Sequence, residues 1–441
     1  MITQTKQAGL MALLLLAAIT TRADPMLESL VRTAWQANPD LMATAHRAEA
    51  AQAALRQARS ATYPRLFASA GYTVTDNPPQ AFMMALNQRR LDMGDPAFDP
   101  NAADDTDNFR LTLGARYRLY DGARGPRTAA AGLMEHIAAE QLRAARNALA
   151  HAVTQGYYQV LEAQAFAAVQ AAALESLEES LRAARERFDS GSAVKTDVLN
   201  LEVQTAQASE NLIRARNGVQ LAIAVLNTTI GEQIVPETGL PEPETAAPES
   251  ESDATPEGIT RRPEYTAARL RADAAGEQLA AARRARGPVL DAFGSLDWDS
   301  EDLDRQEHSY TAGVMLEWTF FSGFEAGGKV AEARARRAEA EAGREHLRQA
   351  LELDLKQAGL ALQEARARLE VTARAVASAD EAVRITRARY REGAADIATL
   401  LVAELGLTES RMRETAAHYD YRIAQSNLAR AAGVIADRFQ E

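Results

Sequence analysis

The chain has 441 residues, a formal net charge of −12 and no cysteine. Without cysteine it can form neither a disulfide bond nor a thiolate metal site, and thiol catalysis and a lipid-modified N-terminal cysteine are excluded as well. Hydrophobic residues make up 46% of the chain, which is sufficient for a large folded protein.

The first 23 residues have the pattern of a secretory signal peptide. Lys6 supplies the positive N-terminal region, an apolar run covers residues 10–19, and small residues before and at Ala23 form a cleavage site. The apolar run is shorter than the roughly 20 residues that a membrane-spanning helix needs, so we predict removal of residues 1–23. No transmembrane helix is predicted downstream, which leaves the periplasm, the exterior, or an outer membrane entered as a β-barrel.

The mature sequence contains two copies of one unit. The segment RFDSGSAVKTDVLNLE, residues 187–202, matches RYREGAADIATLLVAE, residues 389–404, with a shift of 202. LYDG at 119–122 matches FFSG at 320–323 with a shift of 201, whereas matching positions nearer the start of the two copies are shifted by 224 residues. The first copy therefore holds about 23 additional residues, and a tandem duplication explains the pattern.

The duplication sets the predicted domain limits. They are a signal peptide at 1–23, a first repeat at 24–231, a linker at 232–260, a second repeat at 261–433 and a C-terminal tail at 434–441. The linker holds five prolines and eight acidic residues without a basic one, which is typical of a connecting segment or surface belt.

Each repeat contains two segments with the period-2 alternation of a β-strand. In the first repeat these are LFASAGYTVT and RLTLGARYRLYDG, and the residues between them, 76–108, have the composition of a loop. In the second repeat they lie at 290–298 and 310–320, separated by a short acidic turn. We therefore predict one hairpin per repeat, within residues 66–120 and 289–321.

Strands of about nine to eleven residues with aromatic residues near their ends suit a tilted membrane crossing, although a soluble sheet lying on a core has the same alternation. Four strands cannot close a barrel, and lipid forbids an open edge, so a membrane barrel requires several chains; three would supply twelve strands. The faces opposite the apolar ones predict a polar lumen. Its candidate residues are Arg116, Arg118, Asp291, Asp297 and Glu317.

Long helices are predicted for most of the remaining sequence. The segment between Gly122 and Gly191 has no proline after Pro126, and at 1.5 Å per residue it forms a helix approaching 100 Å. Residues 325–389 repeat this pattern. Shorter helices are predicted at 25–63, 196–230, 263–286 and 397–432.

The ordered set of elements resembles the TolC-like outer-membrane efflux protein family over essentially the whole mature chain. Helix, strand pair, LYDG or FFSG turn, long helix, glycine turn and helix occur twice, and YREGAADIATLLVAE lies at the family's tyrosine-glycine-leucine signature. The resemblance implies a fold class of helices plus a membrane β-barrel, in which a homotrimer forms a twelve-stranded barrel and a twelve-helix periplasmic tunnel.

The same resemblance implies a passive exit duct of a tripartite efflux or type I secretion system. The implied partners are a periplasmic adaptor (membrane fusion protein), an inner-membrane pump of the RND, ABC or MFS type, and outer-membrane lipid. No cofactor is implied.

Adaptor docking and channel closure are implied at the helix tips. The docking residues carried over by position are Gly191, Ser192, Val194, Thr196, Asp197, Val198, Leu199, Gly393, Ala395, Asp396, Ile397, Leu400 and Leu401. Many relatives place acidic rings six and nine residues after the second glycine, where this chain has Thr399 and Val402. The candidate constriction residues are therefore Asp197, Asp396 and Glu404, although an ordinary capped helix turn would use similar residues.

Other functional classes are less well supported by the sequence. The six histidines are scattered and no P-loop or GxSxG motif occurs, so we predict no catalytic residue, no metal site and no nucleic-acid partner. A secreted or periplasmic coiled-coil scaffold or adhesin without a pore is the main alternative, but it would need neither the signal peptide nor the repeated hairpins. A periplasmic adaptor would have a single helical hairpin flanked by β domains.

Overall fold

The structure is a computed structural model. It describes residues 24–94, 101, 104–241, 256–301, 307–436 and 439. The predicted signal peptide, residues 242–255 of the linker and residues 437, 438, 440 and 441 of the C-terminal tail lie outside the described residues.

The described residues form eight α-helices and four β-strands in an order that repeats. The first repeat contains α1 (Pro25–Ala37), α2 (Pro39–Ser60), β1 (Arg65–Thr75), α3 (Pro78–Asn87), β2 (Thr106–Asp121), α4 (Arg124–Asp189) and α5 (Lys195–Ile230). After a 3₁₀ helix at Pro256–Arg261, the second repeat contains α6 (Pro263–Arg284), β3 (Val289–Ser300), β4 (Glu307–Glu317), α7 (Glu325–Arg391) and α8 (Ile397–Ala431). None of the described helices has the length and apolar composition needed to cross a membrane.

The two long helices have 66 and 67 residues, as the sequence predicts. The single helix predicted at 25–63 is wrong, because the chain breaks it at Asn38. A residue before proline is pushed out of the helical region, and Asn38 is extended with ψ of 121°. Its side-chain oxygen then accepts a hydrogen bond from the Leu41 amide at 2.9 Å and caps α2.

The predicted loop at 76–108 contains a helix that the sequence reading missed. Asn77 caps α3 by accepting a hydrogen bond from the Gln80 amide, and prolines occupy the first helical positions, where a missing amide hydrogen costs nothing. The last predicted strand is also too long, because β4 ends at Glu317 and Trp318 lies beyond it.

One compact unit combines the described residues within 1–47, 139–266 and 345–441. Its main core joins α1, α4, α5 and the C-terminal segment through residues such as Leu30, Val153, Leu226 and Ile435. Val235 and Leu240, which follow α5 in the predicted linker, are buried in the same core. The described beginning of that linker is therefore packed structure rather than a free connection.

The second unit combines residues 48–138 with 267–344. It contains a four-stranded antiparallel sheet in the order β1-β2-β3-β4, so the two predicted hairpins form and are joined through β2 and β3. A small apolar cluster of Ile137, Ala267 and Ala274 lies between α4 and α6 in this unit.

Candidate pore and docking sites

One face of the sheet is almost wholly apolar. Antiparallel partners share a face, and the register pairs Leu111 with Trp298 and Leu113 with Leu296. Leu66 and Tyr310 on this face are 75% and 80% exposed. A soluble monomer rarely exposes an apolar surface of this extent, so the sheet requires an apolar environment or a partner on this side. Two polar residues, Asp107 opposite Val74 and His308 opposite Trp298, also lie on this face. Its apolar members include Leu66, Ala68, Ala70, Tyr72, Val74, Phe109, Leu111, Leu113, Ala115, Tyr117, Ala292, Leu296, Trp298, Tyr310, Ala312, Val314 and Leu316.

The opposite face is predominantly polar and carries hydrogen bonds between β2 and β3. The Arg118 Nε donates to Asp291 at 3.0 Å, and the Thr112 hydroxyl donates to Asp297 at 2.5 Å. Arg116 lies on the same face, with its guanidinium carbon 6.0 Å from the centre of the Phe67 ring. Glu317 lies at the end of β4, paired with Val289. The five predicted lumen residues therefore share one face, and their position in a lumen stays a prediction.

Two matching glycine turns join the long helices to α5 and α8. Gly191 and Gly393 have φ of 77° and 76°, in the left-handed region that favours glycine. The amide one residue later donates back to the helix in both repeats, from Ser192 to the Arg187 carbonyl at 2.7 Å and from Ala394 to the Arg389 carbonyl at 2.8 Å. These bonds satisfy otherwise free carbonyl groups at the helix ends.

An apolar cluster lies beside these turns and includes two of the predicted docking residues. Ile397 and Leu400 are 5% and 1% exposed and pack with Leu201 and Tyr390. They do not belong to a docking surface, because their side of α8 faces α5 and α7. The sequence placed them near the turn correctly but could not give the direction of their side chains.

The other predicted docking residues are accessible to different degrees. Gly191, Ser192, Val194, Thr196, Leu199, Gly393 and Asp396 are exposed, whereas Asp197, Val198, Ala395 and Leu401 are half-buried. Val203 on α5 and Val402 and Leu405 on α8 also expose apolar side chains, and the prediction missed them. The spacing of four between Leu199 and Val203 was a usable signal, since it places both on one side of α5.

Glu404, one of the candidate constriction residues, is enclosed within the protein. It is 7% exposed, and it accepts hydrogen bonds from the Ser176 hydroxyl at 3.0 Å and from the Arg387 guanidinium. These partners come from α4 and α7, so the carboxylate links three helices. A free acidic ring at Glu404 does not agree with this arrangement.

The two other candidate acids occupy the first turns of α5 and α8. Asp396 caps α8 by accepting hydrogen bonds from the Thr399 hydroxyl at 2.5 Å and amide at 2.8 Å, and these bonds lower its pKa. Asp197 is half-buried near Tyr390, where burial and then the negative charge of Asp197 raise the pKa of the tyrosine. Asp197 is thus the candidate whose carboxylate has no capping or enclosing role among the described contacts.

A cross-repeat contact joins the two tips. The Arg187 Nη1 donates to the Tyr390 carbonyl at 2.6 Å, and the guanidinium carbon lies 4.9 Å from the centre of the Tyr390 ring. Such a cation over an aromatic face is attractive. The sequence did not identify Arg187, Ser176 or Arg387 as tip residues of interest, because their partners lie in the other repeat and no local spacing connects them.

Comparison with known proteins agrees with this geometry. The family described as "Outer membrane efflux protein" matches residues 30–232 and 256–434. No curated protein sequence matches the chain significantly.

Solved structures show the same fold at low sequence identity. A membrane protein from Pseudomonas aeruginosa has a TM-score of 0.83 at 24% identity, covering 93% of this chain and 94% of that one. VceC from Vibrio cholerae has a TM-score of 0.79 at 21% identity, covering 92% of this chain and 96% of that one. The CmeC channel of Campylobacter jejuni has a TM-score of 0.81 at 18% identity, covering 93% of this chain and 86% of that one. Because the family match extends over most of its length, the chain belongs to the outer membrane efflux protein family.

Proposed function

We propose that this outer-membrane efflux channel is a homotrimeric exit duct of a tripartite efflux or type I secretion system. It passively conducts substrates that an inner-membrane pump and a periplasmic adaptor deliver. The observation that carries the proposal is the two-faced sheet, which has an exposed apolar face on one side and an arginine-aspartate face on the other.

In this proposal the open edges of the sheet are the reason that several chains are needed. Strands β1 and β4 are its edges, and each leaves one row of backbone groups without a strand partner in the described sheet. Lipid cannot satisfy those groups. Three sheets joined edge to edge would form a closed barrel of twelve strands, with the apolar faces toward lipid and the polar faces toward a lumen.

The helix tips supply a docking surface for the adaptor in this proposal. Val194, Leu199, Val203, Val402 and Leu405 expose apolar side chains on α5 and α8 and at the turn before α5. An exposed apolar patch of this kind is typical of a protein-binding surface. Asp197 is the residue we propose for a charged constriction, where three copies would attract cations and repel one another.

Cell fractionation and tag accessibility test this function against a scaffold without a pore. We expect the protein in the outer-membrane fraction, with a tag inserted at Asp104 accessible on intact cells, because this position lies at the end of the sheet opposite the helix junctions. The control is the same tag at Gly191, which should be protected from outside. Recovery in the periplasm or medium would favour the scaffold, and protection at Asp104 with exposure at Gly191 would invert the orientation.

A further inference from the structure

The segment after β1 takes a longer path than the strand order requires. Strands β1 and β2 are neighbours and pair directly from Thr75 to Thr106, so a tight turn would connect them. Instead α3 and the residues after it cross the sheet. Arg89 forms an ion pair with Glu307 on β4 at 3.1 Å, and Arg90 forms one with Glu301 after β3. The segment therefore extends from the first strand to the fourth.

Side-chain hydrogen bonds identify the face on which α3 lies. The Gln88 amide donates to Asn108 at 2.9 Å, and the Asn108 amide donates to Asp299 at 2.5 Å. Asp299 also accepts a hydrogen bond from Arg110 at 2.8 Å. The register places Arg110 opposite Asp299, and Asp299 opposite Glu307, on the face that carries Arg118 and Asp291. The C-terminal cap of α3 thus lies against the polar face at the end of the sheet farthest from the helix junctions.

The contact between the end of α3 and the sheet consists of a buried hydrogen-bond network as well as exposed ion pairs. Gln88, Asn108 and Asp299 are 5%, 3% and 2% exposed. The Gln88 amide makes a second hydrogen bond to the Asp107 carbonyl at 2.7 Å. Removing one member leaves buried polar atoms without partners, which is costly, whereas the exposed ion pairs contribute little by themselves. The network therefore holds α3 on the polar face.

We propose that α3 is a lid that narrows the outer mouth of the channel and limits the size of solutes that pass. The proposal rests on the proposed function, since the polar face lines a lumen only when several sheets close. Three lids would then lie inside the mouth, with Met83 and Leu86 exposed on α3. The lid acts on molecules leaving the duct and on molecules entering from outside.

Thiol labelling on intact cells tests the lid, because the natural chain has no cysteine. Ser69→Cys places a thiol on the polar face of β1, opposite Thr112 and farther from the outer end than α3. A small membrane-impermeant maleimide should label it, and a bulky polyethylene-glycol maleimide should label it slowly. Adding Gln88→Ala should raise the rate at which the bulky reagent labels Ser69→Cys about tenfold or more, because loss of a buried hydrogen bond favours the open lid. Arg89→Glu, a second variant, should act in the same direction more weakly.

Two controls separate failure of the lid from failure of the channel. Asn87→Ala changes an exposed neighbour on the same helix and should leave bulky labelling slow. Asp104→Cys should react with both reagents in every background. If the bulky reagent labels Ser69→Cys as fast as Asp104→Cys in the natural background, the lid is absent. If neither reagent labels Ser69→Cys even with Gln88→Ala, the polar face lines no lumen open to the outside, which contradicts the proposed function itself.

Discussion

Replacing both Gly191 and Gly393 with valine is expected to abolish export and to leave the sheet and the assembly intact. Both glycines have left-handed backbone angles, and a non-glycine residue there costs about 1–2 kcal/mol, more for a β-branched one. The space around Gly191 is open, so the cost is a backbone effect rather than a steric clash. The turns would relax and misplace Val194, which belongs to the proposed docking surface, and Asp396, which caps α8.

The matched control replaces the same glycines with asparagine, which tolerates the left-handed region. The measurement is drug susceptibility of cells that depend on this channel, together with the amount of assembled protein in the outer membrane. The asparagine variant should export and the valine variant should not, at equal assembly. Normal export by the double valine variant would mean that the tips are not the docking site.

Arg387→Ala is expected to loosen the tip and to make cells leaky to antibiotics that enter from outside. The substitution leaves Glu404 buried with its charge uncompensated, and breaking such a pair costs about 3–5 kcal/mol. Because Glu404 also holds Ser176, the loss affects the junction of α4, α7 and α8. We expect two results for this variant. Cells should become more permeable to antibiotics, and the thermal unfolding midpoint of the detergent-solubilised variant should fall.

The control for this variant removes both charges together. Arg387→Met with Glu404→Leu keeps side-chain volume at the junction, and replacing a buried ion pair by apolar residues is often neutral or stabilising. We expect the double variant to behave like the parent in both assays. Parent-like leakage in the Arg387→Ala variant would show that the pair does not hold the tip closed.

The periodic elements of the fold were predictable from sequence. The alternation at 66–75 predicted β1 within one residue, since a strand with one apolar and one polar face has a period of two over its whole length. The two long helices followed from Ala-rich sequence without proline, and the turns followed from glycines at equal places in both repeats. Strong local signals repeated twice thus determined this part of the prediction.

The errors have two physical causes. At Asn38 and at Asn77 an asparagine that can cap a helix is followed by proline. The helical composition of residues 25–63 outweighed this signal at Asn38, and the loop composition of residues 76–108 outweighed it at Asn77. The tip contacts carried no local signal, because Arg187 meets Tyr390 and Ser176 meets Glu404 across more than 200 residues of chain. Such pairs depend on tertiary packing, which also decides that Ile397 and Leu400 face inward.

The mass of the detergent-solubilised protein tests the central claim most directly. The described sheet has four strands and two edges, so a closed membrane barrel requires more than one chain. Light scattering corrected for bound detergent should give the mass of three chains. A monodisperse monomer that retains its full β-sheet content would contradict the proposed duct.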